Sequence, residues 1–513
     1  MLDLRIGSGG DGQAIELTPR RLNRHGLIAG ATGTGKTVTL QVLVERFSDL
    51  GVPCFVPDIK GDFSGLAVAA TPSDRLVSRA EALGVAPFEP RAFPVTFWEV
   101  AGSAGETPGG HPLRLTLADF GPQLLSRLLG LNDTQAGVID VVFRVADDEG
   151  LLLLDLDDLR AMLAHALEHR QSIGPRYGNV AAASVGAIQR ALLRIDPGAE
   201  DALFGEPAVT LDEFLQVDAD GRGVVNVLHA ERLYREQPAI YATVLLWLLS
   251  ELFEQLPEVG DPERPVFALF LDEAHLLFRD TPKALVDRIE QVVRLIRSKG
   301  VGVYFITQAP TDIPEAVLGQ LGLRVQHALR AFTPKDQRAL RVAAETFRPN
   351  PEFSAAEVLP ELAVGEALVS TLDATGAPTP VDRVRIRPPV SRIGPINAQE
   401  RAILLSESPL AGIFDQRMNR ESAAERLAQQ AERALDPDHH PGLTQRGTDV
   451  SPTATSARSD RGGVRRSPQP RSVAGQIANQ VAKQATRQIT RQVTNQISRN
   501  IIRGLLGSLT GRR

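Results

Sequence analysis

The sequence of 513 residues contains a single cysteine, Cys54, which lies in an apolar, strand-like segment. An intramolecular disulfide is therefore impossible, and a reducing, cytoplasmic compartment is predicted. Long apolar runs are also absent: the longest, from Ala239 to Leu249, is shorter than the roughly 20 residues that cross a bilayer, and it predicts a buried helix. The first residues show no basic flank followed by an apolar stretch, so neither a secretory signal nor a transmembrane segment is expected.

Negative charge is scarce in the last 63 residues of the chain. The net charge is −6, yet residues 451–513 hold 12 Lys and Arg and one Asp, which gives +11 and leaves −17 for residues 1–450. The apolar fraction of 43% and the charged fraction of 23% are typical of a globular protein. An acidic body joined to a basic tail indicates that the tail contacts something anionic.

Short apolar segments with strand character alternate with segments of helical spacing. We predict strands at residues 25–29, 52–56, 95–100, 224–228, 266–271, 302–307, 324–330 and 366–370, the last two closing the sheet. Helices are predicted at residues 38–47, 239–255 and 283–297, and Gly300 is expected to end the last of these. This alternation predicts an α/β fold with a mainly parallel central sheet.

Composition divides the chain into five predicted parts. Residues 1–114 and 216–415 form the two halves of the α/β core, and residues 115–215 form a mostly helical insertion between them. Residues 416–472 are the end of a helix and a disordered linker, rich in Pro, Ser, Thr, Gly and Arg. Residues 473–513 are a basic amphipathic helix with a four-residue repeat, whose apolar stripe drifts by about 40° per repeat and so disfavours a left-handed coiled coil.

The clearest chemical signal is a glycine-rich loop between a predicted strand and a predicted helix. It matches the pattern G-x-x-x-x-G-K-[ST] with Gly30, Ala31, Thr32, Gly33, Thr34, Gly35, Lys36 and Thr37, and Val38 follows. Such a loop turns backbone N–H groups toward phosphates at the start of a helix. Lys36 is predicted to reach the β- and γ-phosphates and Thr37 to ligate Mg²⁺, so the expected cofactors are ATP and Mg²⁺.

A second signal follows the apolar strand at residues 266–271. It is the pair Asp272 and Glu273, which resembles a Walker B site. The aspartate is expected to hold Mg²⁺ through water, and the glutamate to act as the general base toward the attacking water. Two acids after a strand are weak evidence by themselves, but together with the glycine-rich loop they predict one Mg²⁺–ATP site.

Weaker signals come from polar residues near other strand ends. Gln308 ends a strand and is predicted to orient the water or to sense the γ-phosphate; a polar strand cap is the alternative. Arg324 or Arg330 is a candidate arginine finger toward a neighbouring subunit, with Arg294 and Arg297 as weaker candidates. The alternative for each arginine is an ion pair with a nearby acid.

Two further segments leave several interpretations open. The segment Asp58-Ile-Lys-Gly-Asp62 is expected near the γ-phosphate, at a subunit contact, or in an exposed turn. The basic tail fits binding to nucleic acid, to an anionic membrane surface or to a partner helix, or a solvated helix without a partner; its basic repeat residues are Lys483, Arg487, Arg491, Arg499 and Arg503. The adjacent His439 and His440 lack further ligands at metal spacing, so no metal beyond Mg²⁺ is predicted.

As a set, five segments resemble the HerA-like branch of the HerA/FtsK ATPases, and more narrowly the bacterial helicase HerA-like C-terminal domain proteins. They are residues 30–37, 58–62, 271–275, 306–308 and 325–330. The resemblance covers roughly residues 5–415. It differs from HerA in that only about 24 residues precede the first predicted strand, where HerA has an N-terminal β-barrel; the basic tail also lies outside the family core.

The resemblance implies a RecA-like P-loop core with a helical insertion, a ring-shaped hexamer and ATP-driven movement of DNA. By motif match it implies that Lys36 and Thr37 bind phosphate and Mg²⁺, Asp272 holds Mg²⁺, Glu273 is the base and Gln308 the sensor. The letters Asp-Glu-Ala-His also occur in DEAH-box helicases. That assignment is rejected because more than two hundred residues separate the two nucleotide motifs here, and the later motifs of those helicases are missing.

Three functional hypotheses follow. The first is an oligomeric motor that couples ATP hydrolysis to DNA movement, which the full catalytic set favours. The second is a nucleotide-gated switch or scaffold acting on protein partners without DNA, which the acidic body favours, since a DNA channel usually has a basic lining. The third, a small-molecule kinase, is weaker because no acceptor motif is evident.

Overall fold

The computed structural model describes residues 3–100, 108–194, 203–279, 283–331 and 333–435. These residues belong to one compact unit that ends at Leu435. Twelve strands form a single sheet: β1 Arg5–Ser8, β2 Ala14–Glu16, β3 Gly26–Ala29, β4 Cys54–Asp58, β5 Val95–Glu99, β6 His111–Pro112, β7 Val225–His229, β8 Phe267–Leu271, β9 Val301–Thr307, β10 Leu323–Gln326, β11 Glu366–Ser370 and β12 Asp382–Ile386.

Helices occupy most of the chain between the strands. The longer α-helices are Lys36–Asp49, Asp74–Ala82, Pro122–Leu128, Asp133–Glu149, Leu156–Glu168, Arg170–Tyr177, Ala182–Leu192, Glu231–Glu236, Pro238–Gln255, Lys283–Leu295, Pro334–Glu345, Ala398–Glu407 and Ala423–Leu435. Single-turn α-helices are Leu117–Phe120, Leu211–Phe214, His275–Phe278, Glu315–Leu318 and Ala355–Val358. Short 3₁₀ helices are Pro19–Arg24, Asp62–Ala67, Ile296–Lys299, Pro310–Asp312 and Leu359–Glu361.

The sheet order is β2-β1-β12-β11-β10-β3-β9-β8-β4-β7-β5-β6. The eight strands from β10 to β6 are parallel, and β11, β12, β1 and β2 extend the sheet by antiparallel pairing. The predicted α/β fold with a mainly parallel sheet is therefore confirmed. Parallel pairing brings the carboxyl ends of β10, β3, β9, β8, β4, β7 and β5 to one edge, which we call the carboxyl edge; the opposite side is the amino edge.

Both faces of the central strands are buried. Every residue of β4, β8 and β9 is buried, as expected for parallel strands covered by helices on both sides. On one face, Phe47 from the helix Lys36–Asp49 packs edge-on against Phe270 and Tyr304, with ring centroids 5.8 and 5.3 Å away. The helix Pro238–Gln255 lies in the core of the other face, where twelve of its residues are buried.

Most predicted strands are present with ends shifted by one or two residues, but several pairings differ from the prediction. The last two predicted strands do not close the sheet: β10 ends at Gln326 and lies beside β3, and β12, β1 and β2 continue the sheet beyond β11. The strands β1, β2, β6 and β12 were not predicted. Of these, β1 and β2 lie within the 24 residues that were expected to precede the first strand. They form an antiparallel pair that a short turn at Gly9–Gly12 joins.

The helical predictions can be compared with the structure over the described residues. In the described part of the range 117–214 there are seven helices, and the helix Pro238–Gln255 matches the prediction for the longest apolar run. Gly300 ends a 3₁₀ turn that continues the helix Lys283–Leu295, with a φ of 75°. Residues 436–472 of the predicted linker, the predicted helix at 473–513 and the pair His439–His440 lie outside the described residues, and the domain boundaries stay predictions.

Within the described ranges, no helix has the length and apolar character that crossing a membrane requires. Cys54 is fully buried in β4, and burial raises the pKa of its thiol well above the ordinary value. The interpretation of Cys54 as a buried apolar side chain is therefore confirmed.

Candidate functional site

The glycine-rich loop joins β3 to the helix Lys36–Asp49 at the carboxyl edge. Gly33 and Gly35 adopt φ angles of 78° and 113°, which a residue with a side chain rarely adopts, and these angles turn the loop tightly around its lysine. Lys36 Nζ donates hydrogen bonds to the carbonyl oxygens of Gly30 at 2.5 Å and Ala31 at 3.0 Å. The loop therefore encloses an ammonium group at the site where phosphate oxygens are expected.

The other predicted loop residues lie where the motif requires. Thr34 donates its hydroxyl to the Ala31 carbonyl at 2.7 Å and is buried, whereas Thr32 and Gly33 are exposed. Thr37 and Val38 stand in the first turn of the helix and are half-buried. The exposed side of the loop and the start of the helix thus face the same edge of the sheet.

Asp272 and Glu273 follow β8 at the same edge. Burial and, to a smaller extent, the positive charge of Lys60 lower the pKa of Lys36. The negative charges of Asp272 and Glu273 act in the opposite direction but do not reverse this shift. Burial, together with the charge of Glu273, raises the pKa of Asp272 to about 7. The structure therefore brings Lys36 together with Asp272 and Glu273.

Glu273 combines two unfavourable features. Its φ is 48°, a left-handed conformation that is uncommon outside glycine. Its buried Oε2 accepts no hydrogen bond, although it lies 3.2 Å from His275 Nδ1. Strained backbone and an unsatisfied buried oxygen at one residue are typical of functional sites rather than of structural ones.

The segment after β4 also reaches this site. Asp58 is buried at the strand end, where it accepts a hydrogen bond from the Phe63 N–H at 3.0 Å, and burial raises its pKa to about 6. Lys60 is exposed, and its charge acts on both Lys36 and Asp272. Of the three interpretations of residues 58–62, the geometry favours a place beside the nucleotide loop.

The end of β9 lies between β3 and β8. Thr307 donates its hydroxyl to Asp312 at 2.7 Å, and Asp312 also accepts the Ala309 N–H at 3.0 Å, so the turn after the strand is fixed. Gln308 is exposed at this turn. Its position between the glycine-rich loop and Asp272 is consistent with the predicted sensor role.

The two arginine candidates have different surroundings. Arg324 is half-buried, and its guanidinium donates to the carbonyl oxygens of Leu318, Leu321 and Thr346 at 2.7–3.3 Å. These bonds favour a structural role within its own subunit. Arg330 is exposed, four residues after β10 at the carboxyl edge.

The weaker arginine candidates lie elsewhere. Arg294 is exposed on the helix Lys283–Leu295. The charge of Arg297 acts on Arg24 and His25, which immediately precede β3, so Arg297 lies at the amino edge. The glycine-rich loop follows β3 at the opposite edge.

Two residues at the site were missed by the sequence analysis. Tyr241 donates its hydroxyl to the Asp272 carbonyl at 2.8 Å and thereby holds the end of β8. His327 is buried after β10; its Nδ1 lies 2.9 Å from the Glu366 carbonyl, which can only accept, so Nδ1 carries the proton. Its Nε2 therefore accepts from the Thr39 hydroxyl at 2.8 Å.

Signals for these two residues were weak or absent. Tyr241 lies in a continuous apolar run, where a tyrosine predicts only burial. His327 lies in one of the five resembling segments, but its bond to Thr39 depends on pairing between distant strands.

The residues present fit a nucleotide with Mg²⁺. Lys36 and the loop N–H groups suit phosphate oxygens, and the Thr37 hydroxyl and the Asp272 carboxylate are oxygen ligands of the kind that Mg²⁺ prefers. The Oε2 of Glu273 accepts no hydrogen bond within the described chain. Because burial disfavours the ionised Asp272, a nearby cation would be favoured there.

The fold and these residues define a P-loop ATPase of the RecA type. A family model described as helicase HerA-like C-terminal matches residues 3–513. The chain therefore belongs to the helicase HerA-like C-terminal family, within the HerA/FtsK ATPases, which confirms the resemblance noted from its motifs. The match extends beyond residue 415 and includes the basic tail, which was expected to lie outside the family core.

Solved structures resemble the chain at low sequence identity. The plasmid coupling protein TrwB in complex with the non-hydrolysable ATP analogue ADPNP is 15% identical, with 77% of this chain and 95% of that chain covered and a TM-score of 0.50. VirB4 of Thermoanaerobacter pseudethanolicus is 18% identical, with 75% and 96% covered and a TM-score of 0.48. Among curated proteins none matches the sequence. At these identities the structural likeness shows the fold alone.

Proposed function

We propose that this ATPase hydrolyses ATP with Mg²⁺ at the carboxyl edge and couples the reaction to movement along DNA as an oligomeric ring. The observation that carries the proposal is the convergence of Lys36 with Asp272 and Glu273, joined to the unsatisfied Oε2 of Glu273. A site that only bound nucleotide would not need a strained carboxylate beside the metal ligand.

Each residue then has a role in one reaction. Lys36 stabilises the negative charge on the β- and γ-phosphates. Thr37 and Asp272 would hold Mg²⁺, which would neutralise charge on the phosphate oxygens. Glu273 accepts the proton of the attacking water, whose oxygen bonds to the γ-phosphorus as the bond to the β-phosphate oxygen breaks. Lys60 adds a second positive charge near Lys36.

Gln308 and Arg330 are the residues that we expect to control the hydrolysis step. Gln308 orients the water or senses the γ-phosphate from its exposed place after β9. Arg330 is the better of the two candidate fingers, because it is exposed at the carboxyl edge whereas Arg324 is bonded to three carbonyl groups of its own chain. Such a finger acts on the nucleotide of the next subunit, which fits a hexamer as the family resemblance implies.

The second candidate is a nucleotide-gated switch that acts on protein partners. The observation in its favour is the charge of −17 on residues 1–450, since an acidic body repels DNA phosphates. Under the motor proposal, the basic residues at 451–513 supply the attraction for DNA. The basic tail therefore decides between the two functions.

The test is steady-state ATP turnover of the full chain with and without single- and double-stranded DNA. The variants are Lys36→Ala and Glu273→Gln, with Glu263→Gln as control because Glu263 is an exposed glutamate paired with Arg20 near the amino edge. Severalfold stimulation by DNA, with turnover lost in both site variants and kept in the control, supports the motor. ATP turnover that does not change when DNA is added supports the nucleotide-gated switch.

A further full-length variant separates the contribution of the tail. It replaces five basic residues by glutamine: Lys483, Arg487, Arg491, Arg499 and Arg503. Loss of DNA stimulation with unchanged basal turnover would assign DNA contact to the tail. Unchanged stimulation would show that these five residues do not contact DNA and would leave the repeat helix to a membrane surface or a partner helix.

A further inference from the structure

The turn at residues 363–366, before β11, is hydrogen-bonded to the glycine-rich loop. The Gly365 N–H donates to the Thr34 carbonyl at 3.1 Å, and a Cβ atom on Gly35 would approach the Gly365 nitrogen to 3.1 Å. His327 adds a second connection, because it bonds both to the Glu366 carbonyl and to Thr39 of the helix that follows the loop. The turn at residues 363–366 is thus placed by the same elements that place the phosphate-binding loop.

Other contacts make this turn rigid. The Glu366 N–H donates to the Ala363 carbonyl at 3.0 Å, and the Ala363 N–H donates back to the Glu366 carboxylate at 3.1 Å. Gly365 has a φ of 80°, and its carbonyl accepts from Arg79 and from the Ile386 N–H, each at 2.9 Å. A residue in this turn is therefore held in one position before any ligand arrives.

Val364 is the apolar residue that the turn presents. Its exposed fraction is 65%, and among the large apolar side chains of the described residues only Leu193 is more exposed. An apolar side chain held rigidly in water loses little entropy when a flat apolar surface covers it. Because the turn that carries Val364 contacts the glycine-rich loop, the surface that would cover this side chain belongs to a ligand bound at that loop.

The order of the strands gives the direction in which a nucleotide extends. Asp272, Glu273 and Gln308 follow β8 and β9, on one side of β3, so the metal, the water and the γ-phosphate belong to that side. Strands β10 and β11 lie on the other side of β3. A nucleotide with its phosphates in the loop therefore directs its base toward β10 and β11, where Val364 stands.

We propose that Val364 is the apolar contact for the base of the bound nucleotide. This inference rests on the proposed function of the loop as a nucleotide site, and it adds a residue that recognises the base rather than the phosphates. An aliphatic side chain packs on the face of a purine and offers no hydrogen bond to its edge. Val364 therefore strengthens nucleotide binding without reading the polar groups of the base.

The test compares two ligands that differ in the base. ATP and inorganic tripolyphosphate, each with Mg²⁺, are titrated by calorimetry into the wild type and Val364→Ala. We expect Val364→Ala to weaken ATP binding by about three- to tenfold, since two methyl groups lose their contact, and to leave tripolyphosphate affinity unchanged. Val217→Ala is the matched control, because Val217 is 52% exposed and lies in a turn outside the loop region.

Each other outcome overturns the inference in a different way. Equal loss for both ligands, or no loss for ATP, would show that Val364 does not touch the base, while ATP binding by the wild type would leave the proposed function standing. A changed oligomer mass of Val364→Ala in light scattering, with no base-dependent loss, would assign Val364 to a subunit contact. Absence of ATP binding by the wild type would overturn both this inference and the proposed function.

Discussion

Among the residues that the structure describes, each edge of the parallel sheet holds one non-glycine residue with a positive φ angle. At the amino edge it is His25, with a φ of 60°, and at the carboxyl edge it is Glu273, with a φ of 48°. His25 is buried, and its Nδ1 accepts the Val303 N–H at 3.0 Å. Glu273 also has a buried side-chain oxygen, but that oxygen accepts no hydrogen bond.

The comparison shows that strain alone does not identify a functional residue. At His25 a hydrogen bond to the central strand β9 offsets the cost of the backbone conformation, so the residue stabilises the fold. At Glu273 the same kind of strain remains together with an unsatisfied oxygen. The two edges differ in hydrogen bonding: the His25 side chain accepts a hydrogen bond from the chain, and the buried Oε2 of Glu273 does not.

A large effect on turnover at the carboxyl edge is expected from Lys36→Ala. Loss of the ammonium group removes the charge that stabilises the phosphates, so turnover should fall roughly 10²- to 10³-fold. Because the two carbonyl groups that Lys36 now contacts would be exposed to water, the free energy of unfolding should change little. Turnover and denaturant unfolding of the same preparation check both; normal turnover would contradict the phosphate assignment.

The corresponding change at the amino edge is His25→Ala. It leaves the Val303 N–H without a partner and opens a cavity, so the free energy of unfolding should fall by about 3 kcal/mol. Turnover per folded molecule should stay near that of the wild type. Urea unfolding and turnover, measured together, check the prediction; loss of turnover with unchanged stability would reverse the comparison between the two edges.

His25 at the amino edge is also expected to make the free energy of unfolding depend on pH. Burial lowers the pKa of His25 to about 4, with smaller effects of Arg297 and Arg24. Because the unfolded imidazole titrates near pH 6.5, the contribution of His25 is fully present above that pH and is lost as the pH falls toward 4. The loss amounts to about 3 kcal/mol.

The variant His25→Asn tests this pH dependence. Asparagine keeps a hydrogen-bond acceptor, but it does not titrate. Its free energy of unfolding should therefore decline less than that of the wild type between pH 6.5 and 4. The exposed His169, replaced by Asn, is the control; equal pH profiles for wild type and His25→Asn would show that His25 is not the group responsible.

A smaller effect is expected from Tyr241→Phe at the carboxyl edge. The variant removes one hydrogen bond to the Asp272 carbonyl, worth about 1 kcal/mol, so turnover should fall by less than about tenfold. Tyr177→Phe removes a comparable hydroxyl bond, 2.8 Å long, to Asp148 in the helical region and should leave turnover unchanged. Equal turnover in all three proteins would show that the end of β8 does not depend on Tyr241.

Much of the fold could be predicted from local patterns. The parallel strands are short apolar runs that precede helices, and β3, β8 and β9 were recognised for that reason. The strands β1, β2 and β12 were missed because they do not precede helices in the alternating pattern and pair antiparallel at the far side of the sheet. Such pairings join residues as distant as Gly7 and Ile386, and no local pattern indicates them.

The site was predictable to the extent that its chemistry follows sequence motifs. The assignments of Lys36, Asp272 and Glu273 came from spacing after a strand, and the structure brings them together. The contacts of His327 and Tyr241 depend on tertiary packing and had no signal of their own. The strain at Glu273 was also invisible, since glutamate does not favour a left-handed backbone.

Under the proposed function, the unsatisfied carboxylate of Glu273 is the base of the ATP hydrolysis site. Its most direct test is ATP hydrolysis by Glu273→Gln under single-turnover conditions, with ATP·Mg²⁺ binding measured on the same protein. We predict that hydrolysis falls about 10²- to 10⁴-fold while ATP affinity stays close to that of the wild type. Hydrolysis at the wild-type rate would show that the base is a different group.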